Sequence, residues 1–139
     1  MPSLTAYLAF DGTCAEAMRF YERTLNGKIE TMLKTSETPV ADHVPPGNAD
    51  RIMHAHLLFD GGELMAGDSL VGDTYKGMSG FSLALTYPTA AAARRVFDAL
   101  GEGGRVTMPF DSSFWADGFG MVIDRFGTPW IINGGMKEF

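Results

Sequence analysis

Apolar and polar residues alternate through residues 53–59, and this pattern predicts a strand with one buried face and one open face. A second strand run starts at Leu64, and residues 60–63 (DGGE) between the two runs suit a tight turn, because glycine adopts positive φ at little steric cost. We therefore predict a β-hairpin. If Gly61 and Gly62 are the central turn residues, His56 lies opposite Gly67.

The period of two along this hairpin places two imidazoles on one surface. His54, His56, Leu58 and Asp60 share one face, because strand side chains alternate between faces, and Glu63 and Met65 lie on the same face opposite Asp60 and Leu58. The opposite face is apolar and consists of Met53, Ala55, Leu57, Phe59, Leu64 and Ala66. We assign the apolar face to the core and the histidine face to the wall of a candidate site. A one-residue slip in register would exchange the two faces.

The rest of the chain predicts the same order of elements twice: strand, helix, then three strands. The predicted strands are 4–10, 28–34, 53–59, the run from Leu64, 81–87, 105–110, 114–124 and 128–133, and the helices are 14–25 and 90–100. Residues 36–50 form a long loop with almost no periodicity, a kind of segment that is often a functional lid or a mobile connection. We expect Asp11 or Thr13 to cap the first helix, and Asn26 with Gly27 to end it in a left-handed conformation.

Composition and charge narrow the class of protein. The chain has 139 residues, 45% of them hydrophobic, and one cysteine, Cys14, on the apolar stripe of the first helix. We expect a single domain made of two modules, about 1–68 and about 78–139, in which Cys14 is a buried small side chain. No apolar run could span a bilayer and no signal peptide opens the chain, so we expect a cytoplasmic protein without a membrane partner. The net charge of −6 and the lack of a basic stripe argue against a nucleic-acid partner.

Neither module could bury a face of its sheet alone. We expect two curved sheets side by side, with the helices outside and a concave cleft between them. Clefts at module interfaces are favoured places for small-molecule sites.

Three stretches resemble a known family. They are YLAFDGTCAEAMRFYERTLNGK at 7–28, IMHAHLLFDGGELMAGDS at 52–69 and FWADGFGMVIDRFGTPWIIN at 114–133. With them the sequence resembles the PhnB-like family of the vicinal oxygen chelate superfamily, also called the glyoxalase/bleomycin-resistance/extradiol-dioxygenase superfamily. The resemblance implies an α+β fold in which two βαβββ modules form a curved open mixed-sheet cup with helices outside. It also implies a homodimer, to which the 36–50 loop could contribute by reaching a partner.

Members of that superfamily that use a metal hold it with four ligands, typically His and Glu, on the first and last strands of the modules. In this sequence the corresponding positions fall near Ala6 or Tyr7, near Met65, within 81–87 where there is no histidine, and at Ile131. We therefore predict that the usual metal quartet is absent and that no cofactor is needed. The alternative is a displaced site in which His54, His56 and Glu63 bind a divalent ion such as Zn, Ni, Mn or Fe.

The candidate ligand-binding residues combine polar and aromatic chemistry. We predict that His54, Glu63 and the hydroxyl of Tyr7 make polar contacts, while Met65, Trp115 and Trp130 supply apolar and stacking surface. For the two tryptophans, a place in the core or in a dimer interface is about equally consistent with the sequence. Asp68 and Asp73 flank the connector after the hairpin, and we favour solvated turn carboxylates for both.

Three functions remain open at this point. The first is a binding protein for a small organic ligand without the superfamily's metal. The second is a divalent-metal-dependent lyase or isomerase of the glyoxalase type, in which the metal would polarise a substrate carbonyl. The third is a binder that sequesters an antibiotic, as bleomycin-resistance proteins do. The sequence shows no glycine-rich adenosylmethionine loop after a strand, so it does not support a methyltransferase.

Overall fold

The computed structural model describes residues 2–72 and 74–138, and within them the chain forms eight strands and two α-helices. The elements are β1 (Ala6–Phe10), α1 (Cys14–Thr24), β2 (Lys28–Lys34), β3 (Ile52–Phe59), β4 (Gly62–Asp68), β5 (Leu83–Tyr87), α2 (Ala90–Gly101), β6 (Arg105–Asp111), β7 (Ala116–Ile123) and β8 (Pro129–Met136). Asp73, named above as a turn carboxylate, lies outside the described residues. No helix in the described part of the chain is both long and apolar enough to cross a membrane.

The chain divides into two compact units, Met1–Gly77 and Met78–Phe139. Each contains a four-stranded sheet, in the order β1-β4-β3-β2 in the first unit and β5-β8-β7-β6 in the second. In both sheets the first and last strands of the unit pair in parallel and the other neighbours pair antiparallel. The repeated strand–helix–three-strand order confirms the predicted α+β fold with mixed sheets.

The helix of each unit packs on one face of its own sheet and creates the core there. In the first unit the buried side chains facing α1 include Leu8, Phe10, Ala55, Leu57, Leu64 and Ala66. In the second, Ala93, Phe97 and Leu100 of α2 are buried against β7 and β8. α2 approaches its sheet closely, because a Cβ on Gly120 would lie 2.5 Å from the Phe97 ring. A larger residue at that position of β7 would therefore require the buried Phe97 ring to shift.

The predicted register of the β3–β4 hairpin is wrong by two positions. Phe59 pairs with Gly62, so the central turn residues are Asp60 and Gly61, and Gly61 takes the positive φ of 92°. Gly62 is instead the first residue of β4, and a Cβ on it would lie 2.9 Å from the Phe59 ring. His56 consequently pairs with Met65 rather than Gly67. Because the difference is an even number, the two faces of the hairpin keep the predicted residues.

The start of α1 is capped from a distant strand. Thr13 occupies the N-cap position but makes no side-chain cap hydrogen bond, and Asp11 instead pairs with Arg51 at 2.9 Å. The cap is Asp68 of β4, whose Oδ1 accepts from the N–H groups of Gly12 at 2.9 Å and Cys14 at 3.0 Å. The predictions of a local cap and of a solvated Asp68 were therefore both wrong. Parallel pairing of β1 with β4 brings this carboxylate to the helix, and only the tertiary fold reveals that pairing.

The other end of α1 follows the sequence prediction. Asn26 has a φ of 53°, and the N–H of Gly27 donates to Glu22 at 2.9 Å, as in a left-handed helix end.

The long loop is more structured than its sequence indicates. It holds two 3-10 helices, Thr35–Glu37 and Pro39–His43. Asn48 is 1% exposed, and its amide donates to the Pro45 carbonyl and accepts from the Val71 N–H. These bonds attach the loop to the connector that follows β4.

Candidate functional site

Tyr7 and His54 form an aromatic pair on the sheet face opposite α1, which we call the first open face. Their ring centroids lie 5.7 Å apart with an interplanar angle of 22°, and the Tyr7 hydroxyl is 3.2 Å from Nδ1 of His54. Gly67 lies between them, and a Cβ there would be 3.0 Å from the Tyr7 hydroxyl oxygen. The pair can form because the intervening strand carries no side chain at that position.

Glu63 and His56 form a second pair on the same face. Oε2 of Glu63 lies 2.9 Å from Nε2 of His56, and Oε1 accepts from the Thr5 hydroxyl at 2.8 Å. The hydrogen bond from His56, and then that from Thr5, lower the pKa of Glu63 below its ordinary value. An ionised carboxylate only accepts hydrogen bonds, so Nε2 of His56 carries the proton. When the ring is neutral, Nδ1 of His56 is then an acceptor.

Met65 occupies the middle of the first open face. It pairs with Tyr7 of β1 on one side and with His56 of β3 on the other. Neighbouring strands are about 4.8 Å apart, so the Tyr7 and His56 backbones lie roughly 10 Å from each other across Met65. A flat molecule above the thioether would therefore meet a phenol on one side and an imidazole on the other.

The two tryptophans named as candidates lie in different environments. Trp130 is 1% exposed in the core of the second unit, and its Nε1 donates to Asp124 at 2.8 Å. Trp130 therefore takes the core position that the sequence left open as one of two alternatives, and it also contributes to the lining of a cavity in the second unit. Trp115 is partly exposed, contacts Phe114 and Phe119 edge-on at 4.8 Å each, and donates from Nε1 to Asn133 at 3.2 Å.

Cys14 lies in the core, as predicted from the apolar stripe of α1. It is fully buried, and desolvation, followed by the charge of Asp68, raises the pKa of its thiol to about 12. A thiol in this state is a poor nucleophile.

The positions at which the resemblance implies metal ligands do not carry a set of His and Glu side chains. The predicted ligand positions on β1 and β4 are filled by Tyr7 and Met65, which pair side by side, and β8 carries Ile131. The displaced set is also not brought together, because His54 contacts Tyr7 while His56 and Glu63 contact each other. Over residues 2–72 and 74–138, no three His, Cys, Asp or Glu side chains are grouped as ligands for a metal ion.

Sequence reasoning missed two residues of the first open face, Thr5 and Gly67. Thr5 reaches Glu63 across 58 positions of sequence, and Gly67 leaves the space that Tyr7 fills. Both roles depend on the parallel pairing of β1 with β4, for which the hydrophobic pattern contains no direct signal.

Comparisons with known proteins agree on one family. A model of the family described as 3-demethylubiquinone-9 3-methyltransferase matches residues 2–133. The protein YjdN of Escherichia coli (strain K12) is 34% identical, over 94% of this chain and 93% of its own. Protein PA1353 of Pseudomonas aeruginosa has a crystal structure that is 40% identical, with a TM-score of 0.90 over 97% of this chain and 98% of its own.

Two further solved structures are similar to this chain, one in sequence and fold and the other in fold alone. A Bacillus cereus protein described as a putative 3-demethylubiquinone-9 3-methyltransferase, PhnB protein, is 27% identical, with a TM-score of 0.81 over 96% of this chain and all of its own. A glyoxylase/bleomycin resistance protein/dioxygenase domain from Frankia sp. EAN1pec is 11% identical with a TM-score of 0.69, covering 100% of this chain and 96% of its own, and shows the fold. The chain therefore belongs to the PhnB-like, 3-demethylubiquinone-9 3-methyltransferase-like family, and it has the fold of the glyoxylase/bleomycin resistance protein/dioxygenase domain.

Proposed function

We propose that this protein binds a small organic molecule on its first open face, without the metal used elsewhere in the superfamily. The observation that carries the proposal is the Tyr7–His54 pair. Tyr7 is 54% exposed, yet its ring is stacked and its hydroxyl is within hydrogen-bond distance of His54. A large aromatic side chain held in one orientation at the surface is suited to contact with a ligand.

The surrounding groups define the kind of ligand that fits. Desolvation raises the pKa of Tyr7 above its ordinary value, with a smaller contribution from Cys14, so at neutral pH the hydroxyl keeps its proton, and its partners on this face are Nδ1 of His54 and the Met53 carbonyl. His56 adds a second ring nitrogen, Nδ1, beside the Nε2 that bonds Glu63, and Met65 between Tyr7 and His56 is apolar and adaptable. We propose a flat, largely apolar molecule that contacts the Tyr7 ring and Met65 and carries a polar group toward His56.

Methyl NMR of the nine methionines tests this proposal. Small aromatic and cationic compounds selected by thermal shift should move the Met65 methyl signal. Tyr7→Ala should weaken that binding about tenfold or more. Gly67→Ala should weaken it as well, since a Cβ at that position would lie 3.0 Å from the Tyr7 hydroxyl oxygen.

The comparison variant is Phe114→Ala, which removes an aromatic side chain that is 73% exposed in the other unit and belongs to the second candidate site described below. Equal losses of affinity in Tyr7→Ala and Phe114→Ala would contradict the proposed site. So would a Met65 signal that no selected compound moves.

The metal content of the purified protein tests the proposal that no metal ion takes part. Protein purified without chelator or nickel resin should contain far less than one equivalent of divalent ion per chain, and a His54→Ala/His56→Ala double variant should contain the same. About one equivalent that disappears in the double variant would instead support the displaced site and a glyoxalase-type enzyme.

A second candidate is stoichiometric sequestration of a flat or cationic compound by the aromatic cluster of Phe114, Trp115 and Phe119. The edge-on contacts leave Phe114 largely exposed, and aromatic faces attract cations. Binding with one-to-one stoichiometry, no turnover and loss in Phe114→Ala would favour this candidate. Full affinity in that variant would remove it.

The methyltransferase activity in the family's description is not part of the proposal. The loop between β1 and α1 contains one glycine, Gly12, and the N-terminus of α1 is already occupied by the Asp68 carboxylate. A cofactor at this helix end would compete with that carboxylate.

We also propose that the protein is a homodimer. Several large apolar side chains are exposed on the isolated chain, among them Leu4 at 98% and Met136 at 52%, and a partner subunit would cover such residues. Sedimentation velocity at micromolar concentration should give a dimer, and a monomer would refute this assignment.

The cytoplasm remains the proposed location. The only cysteine is buried and free, which is typical of proteins that do not rely on disulfides. Fractionation of cells in which the protein is native should recover it with cytoplasmic markers, and recovery elsewhere would contradict the proposal.

A further inference from the structure

The loop that joins β2 to β3 encloses a cavity of about 190 Å³. All of the described lining residues come from the loop itself, and they include Thr35, Ser36, Ala41, Val44, Pro45 and Asn48. A water molecule in the liquid occupies about 30 Å³, so the cavity has room for roughly six non-hydrogen atoms. None of these lining residues belongs to the first open face, so the cavity is separate from the site proposed there.

Two buried polar side chains form the floor of the cavity. Thr35 and Asn48 are each 1% exposed, whereas Ser36 and Ala49 at the rim are exposed. Burial of a polar side chain is costly unless it forms hydrogen bonds. The bonds of these two side chains therefore decide what the floor offers to a bound molecule.

The amide group of Asn48 is held in one orientation by two hydrogen bonds. Its Oδ1 accepts from the Val71 N–H at 2.8 Å, and its Nδ2 donates to the Pro45 carbonyl at 2.7 Å. A side-chain amide has two N–H groups, and for the second one residues 2–72 and 74–138 provide no acceptor. The floor thus offers one oriented donor.

The hydroxyl of Thr35 supplies an acceptor beside this donor. It donates to the Arg51 carbonyl at 3.1 Å, and the same carbonyl accepts from the Thr35 N–H at 2.9 Å. A hydroxyl that uses its hydrogen in this way keeps lone pairs on its oxygen. One donor next to one acceptor is the complement of an amide group, which has a carbonyl oxygen and an N–H.

The walls of the cavity are apolar and partly preformed. Ala41 and Val44 contribute methyl groups, and Pro45 and Pro46 follow with fixed φ angles. A segment that is already rigid loses little conformational freedom when a ligand binds, which favours binding.

The charge of the loop selects against anions. None of the described residues that line the cavity is charged. Residues 35–50 contain the carboxylates of Glu37, Asp42 and Asp50 and no lysine or arginine. An anion in the cavity would lose its hydration and gain no opposite charge, which is costly.

We propose that this cavity binds the amide group of a small uncharged molecule that also carries a branched aliphatic group. The free N–H of Asn48 donates to the carbonyl of the ligand, and the N–H of the ligand donates to the Thr35 hydroxyl. The aliphatic group contacts Ala41 and Val44. The proposal is independent of the function assigned to the first open face.

Isobutyramide is the probe, because it combines an amide with a branched aliphatic group and matches the size of the cavity. In methyl NMR it should shift the Ala41 and Val44 signals in a saturable manner, with a Kd on the order of 1 mM for so small a ligand, and leave the Met65 signal unmoved. Isobutyrate has the same shape with a negative charge and should bind at least about tenfold more weakly. 3-Methylbutan-2-one has the same shape without an N–H and should bind about threefold or more weakly.

Thr35→Val tests the assigned acceptor, because valine keeps the shape of threonine and removes its hydroxyl. The preference for isobutyramide over 3-methylbutan-2-one should disappear in this variant. A purely structural effect would weaken both compounds equally and leave the preference unchanged, and that result would overturn the assignment.

Ala41→Leu should fill the cavity and weaken isobutyramide binding about tenfold or more. Val40→Leu is the matched control, since Val40 is the adjacent residue of the same 3-10 helix, 40% exposed and outside the lining, and it should change affinity less than about twofold. If Ala41→Leu does not fold by far-UV circular dichroism, Ala49→Trp at the exposed rim replaces it. The absence of saturable shifts at Ala41 and Val44 would overturn the proposal. Equal effects of Ala41→Leu and Val40→Leu, or a shift of Met65 alone, would overturn it too.

Discussion

Removal of the Asp68 carboxylate tests whether this single side chain holds three segments of the first unit together. Its Oδ1 accepts from Gly12 and Cys14 at the start of α1, and its Oδ2 accepts from the Ile52 N–H at 2.8 Å at the start of β3. Asp68→Ala leaves all three N–H groups without that partner. Cys14 is fully buried and Ile52 is 3% exposed, so water cannot readily replace the carboxylate at either one.

The magnitude follows from these two buried donors. A hydrogen bond to a charged group contributes about 1.5–3 kcal/mol, so two of them give a loss of roughly 3–6 kcal/mol in the free energy of unfolding. The exposed Gly12 N–H adds little, because it can bond to water. For a chain of this size each kcal/mol corresponds to about 3–4 °C in Tm, so the melting temperature should fall by roughly 9–24 °C. Asp68→Asn keeps one acceptor oxygen and should lose about 1–3 kcal/mol.

Urea unfolding followed by far-UV circular dichroism measures these losses. Asp11→Ala is the control, because Asp11 is a neighbouring carboxylate that is 55% exposed and forms only a surface ion pair with Arg51. Such pairs contribute about 0–1 kcal/mol. If Asp68→Ala costs no more than Asp11→Ala, Asp68 does not organise the first unit and the reasoning is wrong.

Three other predictions address single groups. Trp130→Phe should lower the free energy of unfolding by about 2–4 kcal/mol, since it removes the indole N–H from Asp124, which is 2% exposed; urea unfolding with no change would contradict the assigned bond. His56→Ala should raise the NMR titration midpoint of the Glu63 carboxyl, because the hydrogen bond from His56 is the main cause of its lowered pKa. The stability contributed by Glu63 is therefore present above the ordinary carboxyl pKa and is lost as pH falls through the lower folded value, and an unchanged midpoint would refute the pairing. Cys14, with a thiol pKa of about 12, should react with a disulfide reagent at pH 8 only after unfolding, and rapid reaction of the native protein would contradict its burial.

Local patterns in the sequence were sufficient for the order of elements. Apolar residues recur every two residues along β3 and about every 3.6 residues along α1. These periods arise because each element buries one of its faces. The left-handed helix end at Asn26 is also local, because it depends on the conformational preference of one residue.

Contacts between distant segments could not be predicted in this way. The cap of α1 by Asp68 and the bond from Thr5 to Glu63 join positions more than 50 residues apart. They exist because β1 lies beside β4, and many strand orders satisfy the same hydrophobic pattern. The register of the β3–β4 turn was wrong for a different, local reason: either Gly61 or Gly62 could take a positive φ, and in the structure Gly61 does so while Gly62 lies in β4 beside the Phe59 ring.

The hydrogen bonds of the first open face divide its acidic and basic side chains into two separate pairs. A metal ligand must offer a lone pair that no other group occupies. Here both oxygens of Glu63 already accept hydrogen bonds, and Nδ1 of His54 is in contact with the Tyr7 hydroxyl. These partners turn Glu63 toward His56 and His54 toward Tyr7, so the three side chains do not converge on one point where a divalent ion could bind. The same bonds hold the Tyr7 and His56 side chains on either side of Met65, which is the arrangement that the proposed organic ligand would require.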